Sequence, residues 1–138
     1  AKLAVMNLEI VRGAIGMAAL TVRPADTSVA QALNDLPILA TPTLVNIFEG
    51  ACSVALAEHL GAGETSVTTE FSISTHAAVG VGAEIRAHAT CVEIADQICK
   101  FSVEVHQSNR LIASGTIDRK IVDRLSFAAR VAAESISR

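Results

Sequence analysis

Thr41, Glu49 and His76 are the side chains whose types and placement best suit chemistry in this 138-residue chain. Glu49 interrupts the run Ala40-Thr41-Pro42-Thr43-Leu44-Val45-Asn46-Ile47-Phe48-Glu49-Gly50-Ala51-Cys52, where its neighbours are apolar or small. A carboxylate in such a setting is costly unless a partner neutralises it or a reaction uses it. Its two readings are a helix-edge Glu reaching solvent and a desolvated group kept for acid–base or nucleophilic work. Asn46, three residues earlier, is a candidate hydrogen-bond partner for it. Thr41 precedes Glu49 by about two helical turns and is expected on the same side. A Thr before a Pro reads first as an N-cap, but a helix start also favours negative charge, so capping and oxyanion stabilisation are compatible. His76 ends an extended stretch, and Gly80 and Gly82 beyond it mark a loop where backbone approaches closely. Arg119 falls on the apolar face of the last predicted strand with Leu111, Ala113, Ile117 and Ile121, and an inward Arg needs an anion, either Glu49 or a ligand.

These residues need elements to position them. A first strand is predicted over residues 16–23, closed by Pro24, and Pro37 breaks the irregular piece that follows. A helix starts at Thr41 as N-cap, with Pro42 at the first helical position, and runs to Leu60. Leu44, Val45, Ile47, Phe48, Ala51, Val54, Ala55 and Leu56 leave it apolar on nearly every side, so it is expected to be buried. The period then changes to two: Val67, Thr69, Phe71 and Ile73 alternate with Thr68, Glu70, Ser72 and Ser74. Further strands are expected over 83–95, from Cys99 (with Phe101, Val103 and Val105 on its face) and over 111–122, turning at Asp96-Gln97 and Ser108-Asn109-Arg110. Residues 125–137 have helical character. Short turns favour antiparallel pairing. One long helix covered by a curved, mostly antiparallel five-stranded sheet is an α+β arrangement, the layout of the hotdog fold, although other helix-on-sheet packings satisfy the same physics.

Composition narrows the function. The chain is 51% hydrophobic but only 3% aromatic, with no Trp or Tyr, so one domain spanning 1–138 is built on Ala, Val, Ile and Leu. A net charge of −3 with scattered Lys and Arg gives no basic stripe, and the lack of aromatics removes base-stacking platforms; nucleic acid is not an expected partner. No apolar run reaches membrane-span length and no secretory leader pattern opens the chain, so neither a membrane partner nor export is expected. Met6 is a candidate initiator, with residues 1–5 as an added leader. Three sparse cysteines, Cys52, Cys91 and Cys99, point to a reducing, cytoplasmic setting, and Cys91 and Cys99, flanking a predicted hairpin turn, read as small core residues. No Cys or His spacing suggests a metal site.

Thr41-Pro42 with Glu49, Gly63-Glu64-Thr65-Ser66-Val67, His76, Gly115-Thr116 with Arg119, and Val122-Asp123-Arg124 together resemble the fluoroacetyl-CoA thioesterase family of hotdog acyl-CoA thioesterases. The likeness spans residues 16–127. It implies a Thr/Glu/His catalytic set matching Thr41, Glu49 and His76, with Glu49 attacking the thioester carbonyl or activating water. It also implies a homodimer with sites at the subunit interface, and coenzyme A as part of the substrate with no other cofactor. Thr69 stands where the family has a Gly whose backbone contacts the thioester, and it still offers its N–H. The family's phenylalanine lid before Thr-Pro is replaced by residues 32–39, which hold no Phe; Leu33, Leu36, Ile38 and Leu39 are expected to line or cover the acyl end. Glu49, Thr41, His76, Arg119, Thr69, Asn46, Leu36 and Gly80 are thus the candidate site residues. The expected function is hydrolysis of a small or medium acyl-CoA. The alternatives are a non-catalytic acyl-CoA or small-ligand module, a hotdog dehydratase or hydratase, and a structural dimerisation domain.

Overall fold

The computed structural model describes residues 11–136; Met6 and the leader before it lie outside them. The elements run β1 (Ile15–Thr21), a 3-10 turn (Pro24–Asp26), α1 (Thr41–Leu56), β2 (Glu64–Thr75), β3 (Glu84–Ala95), β4 (Ile98–Gln107), β5 (Arg110–Asp123) and α2 (Arg124–Ile136). One antiparallel sheet has the order β1-β3-β4-β5-β2, so among the described residues β1 and β2 are its free edges. The expected α+β layout is the one found. The β3–β4 hairpin turns at Asp96 and Gln97, both at positive φ (51° and 64°), as a two-residue turn matched to strand twist requires.

The helix packs on one half of the sheet. Leu44, Ile47, Phe48, Ala51, Cys52, Ala55 and Leu56 are its buried residues, the three-and-four spacing of a single helical stripe. They meet the inward faces of β3 and β4, where Ile85, Ala87, Ala89, Cys91, Cys99, Phe101, Val103 and Val105 are buried. Gly16 permits a close crossing of β1 and α1: a Cβ there would lie 2.0 Å from the Ala51 carbonyl oxygen. Phe48, fully enclosed, anchors this core; its truncation to Ala is expected to cost about 3–5 kcal/mol.

Four sequence expectations are corrected. The helix is not buried all round, because the sheet covers one face; Val54 is 54% exposed. It ends at Leu56, followed by turns, rather than at Leu60. Leu111 does not share the inward face of Ala113. A register irregularity opposite Val105 and His106 turns Leu111 outward and buries Ile112 instead. In β2 a bulge at Thr69 breaks the alternation: Thr68 pairs with Arg119 and Glu70 with Asp118, so Ser66 and Thr68 face inward before it and Phe71 and Ile73 after it.

Candidate active site

Arg119 is nine-tenths buried at the inward face of β5, and every guanidinium nitrogen has a partner. Nη1 donates to Glu49 Oε1 at 3.2 Å and to Thr68 Oγ1 at 2.9 Å; Nε and Nη2 donate to Ser66 Oγ at 3.1 and 2.9 Å; Nη2 also reaches Ser53 Oγ at 3.3 Å. The Thr68 hydroxyl donates to the same Glu49 Oε1. The carboxylate is therefore held from one side. Oε2 accepts no hydrogen bond among the described residues, and the side chain is 39% exposed. A carboxylate with one oxygen clamped and the other open is oriented for use as a base or nucleophile. The expected Arg119–Glu49 pairing is present.

Glu49's other sequence-assigned neighbour is not. Three residues of helix leave Asn46 about 60° round the axis from Glu49. Asn46 is exposed and lines a shallow groove with Arg23, Asp26 and Gln31 instead. Thr68, Ser66 and Ser53 went unmarked in the sequence. The first two face inward only because of the Thr69 bulge, which local alternation does not announce. Thr69 itself has no register partner across β5.

Thr41 and His76 share a second place, a cleft of about 360 Å³ at the N-terminal end of α1. Ile38, Leu39, Leu44, Ala77, Val79 and Ile112 form its apolar walls, with Ser28, Asn34 and Thr75 beside them. Ala40 occupies the N-cap position, so Thr41 is the first helical residue and Pro42 the second, and the Thr41 hydroxyl makes no cap bond. His76 Nε2 lies 2.9 Å from Ser114 Oγ. Of the aliphatic lid residues, Ile38 and Leu39 line the cleft, whereas Leu33 and Leu36 are about half exposed and do not line it. Their segment folds back on itself: Leu33 N–H donates to the Ser28 carbonyl and Leu36 N–H to the Asn34 side chain. Gly80 does not touch the cleft; it bridges Ile38 and so ties the lid segment to the loop after β2. A Cβ at Gly80 would meet only the Pro37 carbonyl, at 3.8 Å, so no close approach demands a glycine there.

Within one chain Glu49 and His76 are apart. Glu49 bonds to Thr68, and eight residues of β2 separate Thr68 from His76, on the order of 25 Å along a strand. Thr41 and Glu49 are about 12 Å apart along the helix axis. Cysteine is an unsuitable nucleophile here: burial pushes the Cys52 thiol up to about 12, with Glu49 adding to the rise and Arg119 opposing it. Among the described residues no three His, Cys, Asp or Glu side chains are grouped to share a metal ion.

A long helix packed on a curved antiparallel sheet, with a clamped carboxylate on the helix and a cleft at its start, is the layout of the hotdog fold. A structure of a Thermus thermophilus thioesterase superfamily member has the same fold, with a TM-score of 0.83 at 20% identity over 92% of this chain and 96% of that one. The family model for fluoroacetyl-CoA-specific thioesterase matches residues 22–125. The chain belongs to that family, and by family it is a thioester hydrolase. The fluoroacetyl-CoA thioesterase of Streptantibioticus cattleyicolor is 29% identical over 94 residues, 68% of each protein. A solved structure of the fluoroacetyl-CoA thioesterase superposes with a TM-score of 0.81 at 25% identity, covering 88% of this chain and 94% of that chain.

Proposed function

We propose that the protein hydrolyses short or medium acyl-CoA thioesters at a site shared by two copies of the chain. The observation that carries this is the open Oε2 of Glu49 beside an Oε1 fixed by Arg119 and Thr68. The acyl thioester lies in the Thr41–His76 cleft, its acyl part against Ile38, Leu39 and Val79. Glu49 of the other copy either attacks the carbonyl carbon, expelling the CoA thiolate to leave an anhydride that water cleaves, or takes a proton from the attacking water. The Thr41 hydroxyl and the N–H groups at the start of α1 polarise the carbonyl oxygen. His76, held by Ser114, returns a proton to the departing thiolate. Coenzyme A enters as part of the substrate, and the steps call for no other cofactor. Three free cysteines suit the cytoplasm, and no described helix is long and apolar enough to cross a membrane.

The shared site rests on β2. It is a twelve-residue free edge, and Phe71 on its inward face is 54% exposed because α1 covers the other half of the sheet. A long edge with an exposed aromatic calls for a partner, and a second copy across a two-fold axis is the commonest one. Antiparallel β2–β2 pairing would carry the Glu49–Thr68 cluster of one copy toward the β2 end of the other, where His76 stands. The test mixes two inactive variants, Glu49→Gln and His76→Ala, through reversible unfolding. Half of the random dimers are mixed, and each would hold one intact site, so about a quarter of wild-type thiol release should return. No return of activity from mixed dimers would place both groups in one chain and sink the shared site.

A further inference from the structure

The C-terminal helix α2 is firmly attached at its start, and among the described residues nothing covers its apolar stripe. Arg124 N–H donates to the Gly63 carbonyl at 2.8 Å, Arg124 Nη2 to the Glu64 carbonyl at 3.2 Å, and Ser126 N–H to Asp123 Oδ2 at 2.9 Å. Its first turn is thereby tied to the start of β2, where Glu64 pairs with Asp123. Yet none of its thirteen residues is buried. Leu125, Ala129, Ala132 and Ile136 recur at four, three and four residues, which aligns them in one stripe. Leu125 is 79% and Ile136 84% exposed, the two most exposed large apolar side chains of the described residues. An anchored helix presenting its apolar stripe to water signals a docking partner.

We propose that this partner is a second copy of the chain, and that α2 lies along the mouth of that copy's Thr41–His76 cleft and closes the acyl pocket. The inference rests on the β2-to-β2 dimer. In that arrangement the start of one β2 lies beside the end of the other, because paired antiparallel strands run head to tail. A helix fixed at Gly63 and Glu64 of one copy therefore leaves its sheet next to Thr75, His76 and Ala77 of the other, which line the cleft. Asp123, which caps α2, follows Arg119 and Ile121 on the inward face of β5 by strand alternation, the side on which α1 and the cleft lie. Thirteen residues of helix span about 20 Å, enough to cross such a cleft. The apolar stripe then supplies the wall that Leu33 and Leu36, which do not line the cleft, leave open. In this arrangement acyl-chain length is read partly by the C-terminal helix of the neighbouring subunit.

Proximity is tested by cross-linking the double variant Ala78→Cys/Leu125→Cys with a short bis-maleimide. The three native cysteines are buried. Within one chain the two positions flank opposite ends of β2, about 40 Å apart at strand rise, so a short linker joins them only between copies. A covalent dimer from the double variant, absent from either single variant, is the expected result; only monomers would overturn the proposal. Function is tested with Leu125→Glu/Ile136→Glu, scored across acyl-CoAs of increasing length. The expected outcome is a fall of about tenfold or more in kcat/KM for the preferred acyl chain with a flattened length profile, while the protein still sediments as a dimer. An unchanged profile would refute the pocket wall. Sedimentation of the wild type alone reads the underlying dimer: an active wild-type monomer would refute the dimer itself, whereas a wild-type dimer that fails to cross-link refutes only the placement of α2.

Discussion

Glu49→Gln separates chemistry from architecture. In the wild type, Glu49 Oε1 accepts from Thr68 Oγ1 and from Arg119 Nη1, while Oε2 stays open. A glutamine is nearly the same size. Its amide oxygen can take the place of Oε1 and keep both donors, and its NH2 then occupies the open position without displacing a partner. What stability loses is the charge of a pair whose acidic half is 39% exposed. Solvent screens such a pair, so the expected loss is about 1 kcal/mol or less, or a few degrees in Tm for a domain of this size. What activity loses is the only open carboxylate oxygen of the Arg119 cluster. An amide is neither a base nor a nucleophile at neutral pH, and removing an essential group of this kind lowers kcat by a factor on the order of 10² or more. The assay is thiol release from a panel of acyl-CoAs, beside thermal unfolding of the same preparation. Wild-type turnover in a folded Glu49→Gln protein would refute the reasoning. A collapse in Tm would show that the carboxylate serves structure and that the clamp reading is wrong.

The other expectations concern parts of the molecule outside that carboxylate. Asp26 is buried and takes hydrogen bonds from the Arg23 guanidinium and backbone, which hold its carboxyl below the usual 3.8. A carboxyl depressed in the folded state binds fewer protons than in the unfolded chain, so it adds stability above that value and loses it as pH falls through its folded pKa. Asp26→Asn should therefore weaken the protein at neutral pH and flatten the acid limb of its stability curve below about pH 4, read by urea unfolding; an unchanged acid limb would count against the pair. The three thiols are enclosed, so a chromogenic disulfide reagent at pH 8 should label none within minutes in the native protein and all three after unfolding; rapid labelling of Cys52 in the native state would contradict its burial. The cleft offers Ile38 and Leu39 but no phenylalanine from residues 32–39. Aliphatic walls discriminate by area, and a single small group is worth about 1–3 kcal/mol, so specificity constants for fluoroacetyl-CoA and acetyl-CoA should differ modestly. A preference of several orders of magnitude for the fluorinated substrate would refute the aliphatic-wall argument.

Much of this architecture was legible because local signals agreed with one another. Cys99, Phe101, Val103 and Val105 alternate without a break in the sequence, and all four are buried. Asp96-Gln97 was expected as the turn before them and is one. The inward placement of Arg119 followed from the same alternation, and its need for an anion pointed to Glu49. The errors fall where a single residue changes the count. One extra residue at Thr69 reverses which half of β2 faces in, so Ser66 and Thr68 went unnoticed as the clamp around Arg119. The offset near Ile112 misplaced Leu111 in the same way. Strand period reports facing only as long as register holds, and a bulge is a property of two strands rather than of either one.

The Thr41, Glu49 and His76 set shows a different kind of limit. Sequence spacing put Thr41 and Glu49 on one side of one helix, and family likeness joined His76 to them. The fold separates the three into a clamped carboxylate beside the middle of β2 and a cleft at its end. On the proposed reading a site split this way would be incomplete in a single chain, and among the described residues nothing pairs with the outer edge of the strand that links its two parts. The twelve residues of β2 form a free edge, with Phe71 exposed at the middle, the carboxylate clamp on one side of that midpoint and His76 on the other. Pairing that edge with itself would satisfy the backbone, cover Phe71 and bring each clamp toward the other copy's His76 in a single step. The same contact that removes an aggregation-prone edge would then also assemble the catalytic groups. On this account dimerisation and activity should be lost together in variants that block the β2 edge. His76 N–H bonds to the Ile112 carbonyl, so by alternation Ser72 and Ser74 bond to β5 while Phe71 and Ile73 direct their N–H groups to the free side. Phe71→Pro is therefore the substitution that tests it. A monomeric, fully active Phe71→Pro protein would show that one chain carries the whole site.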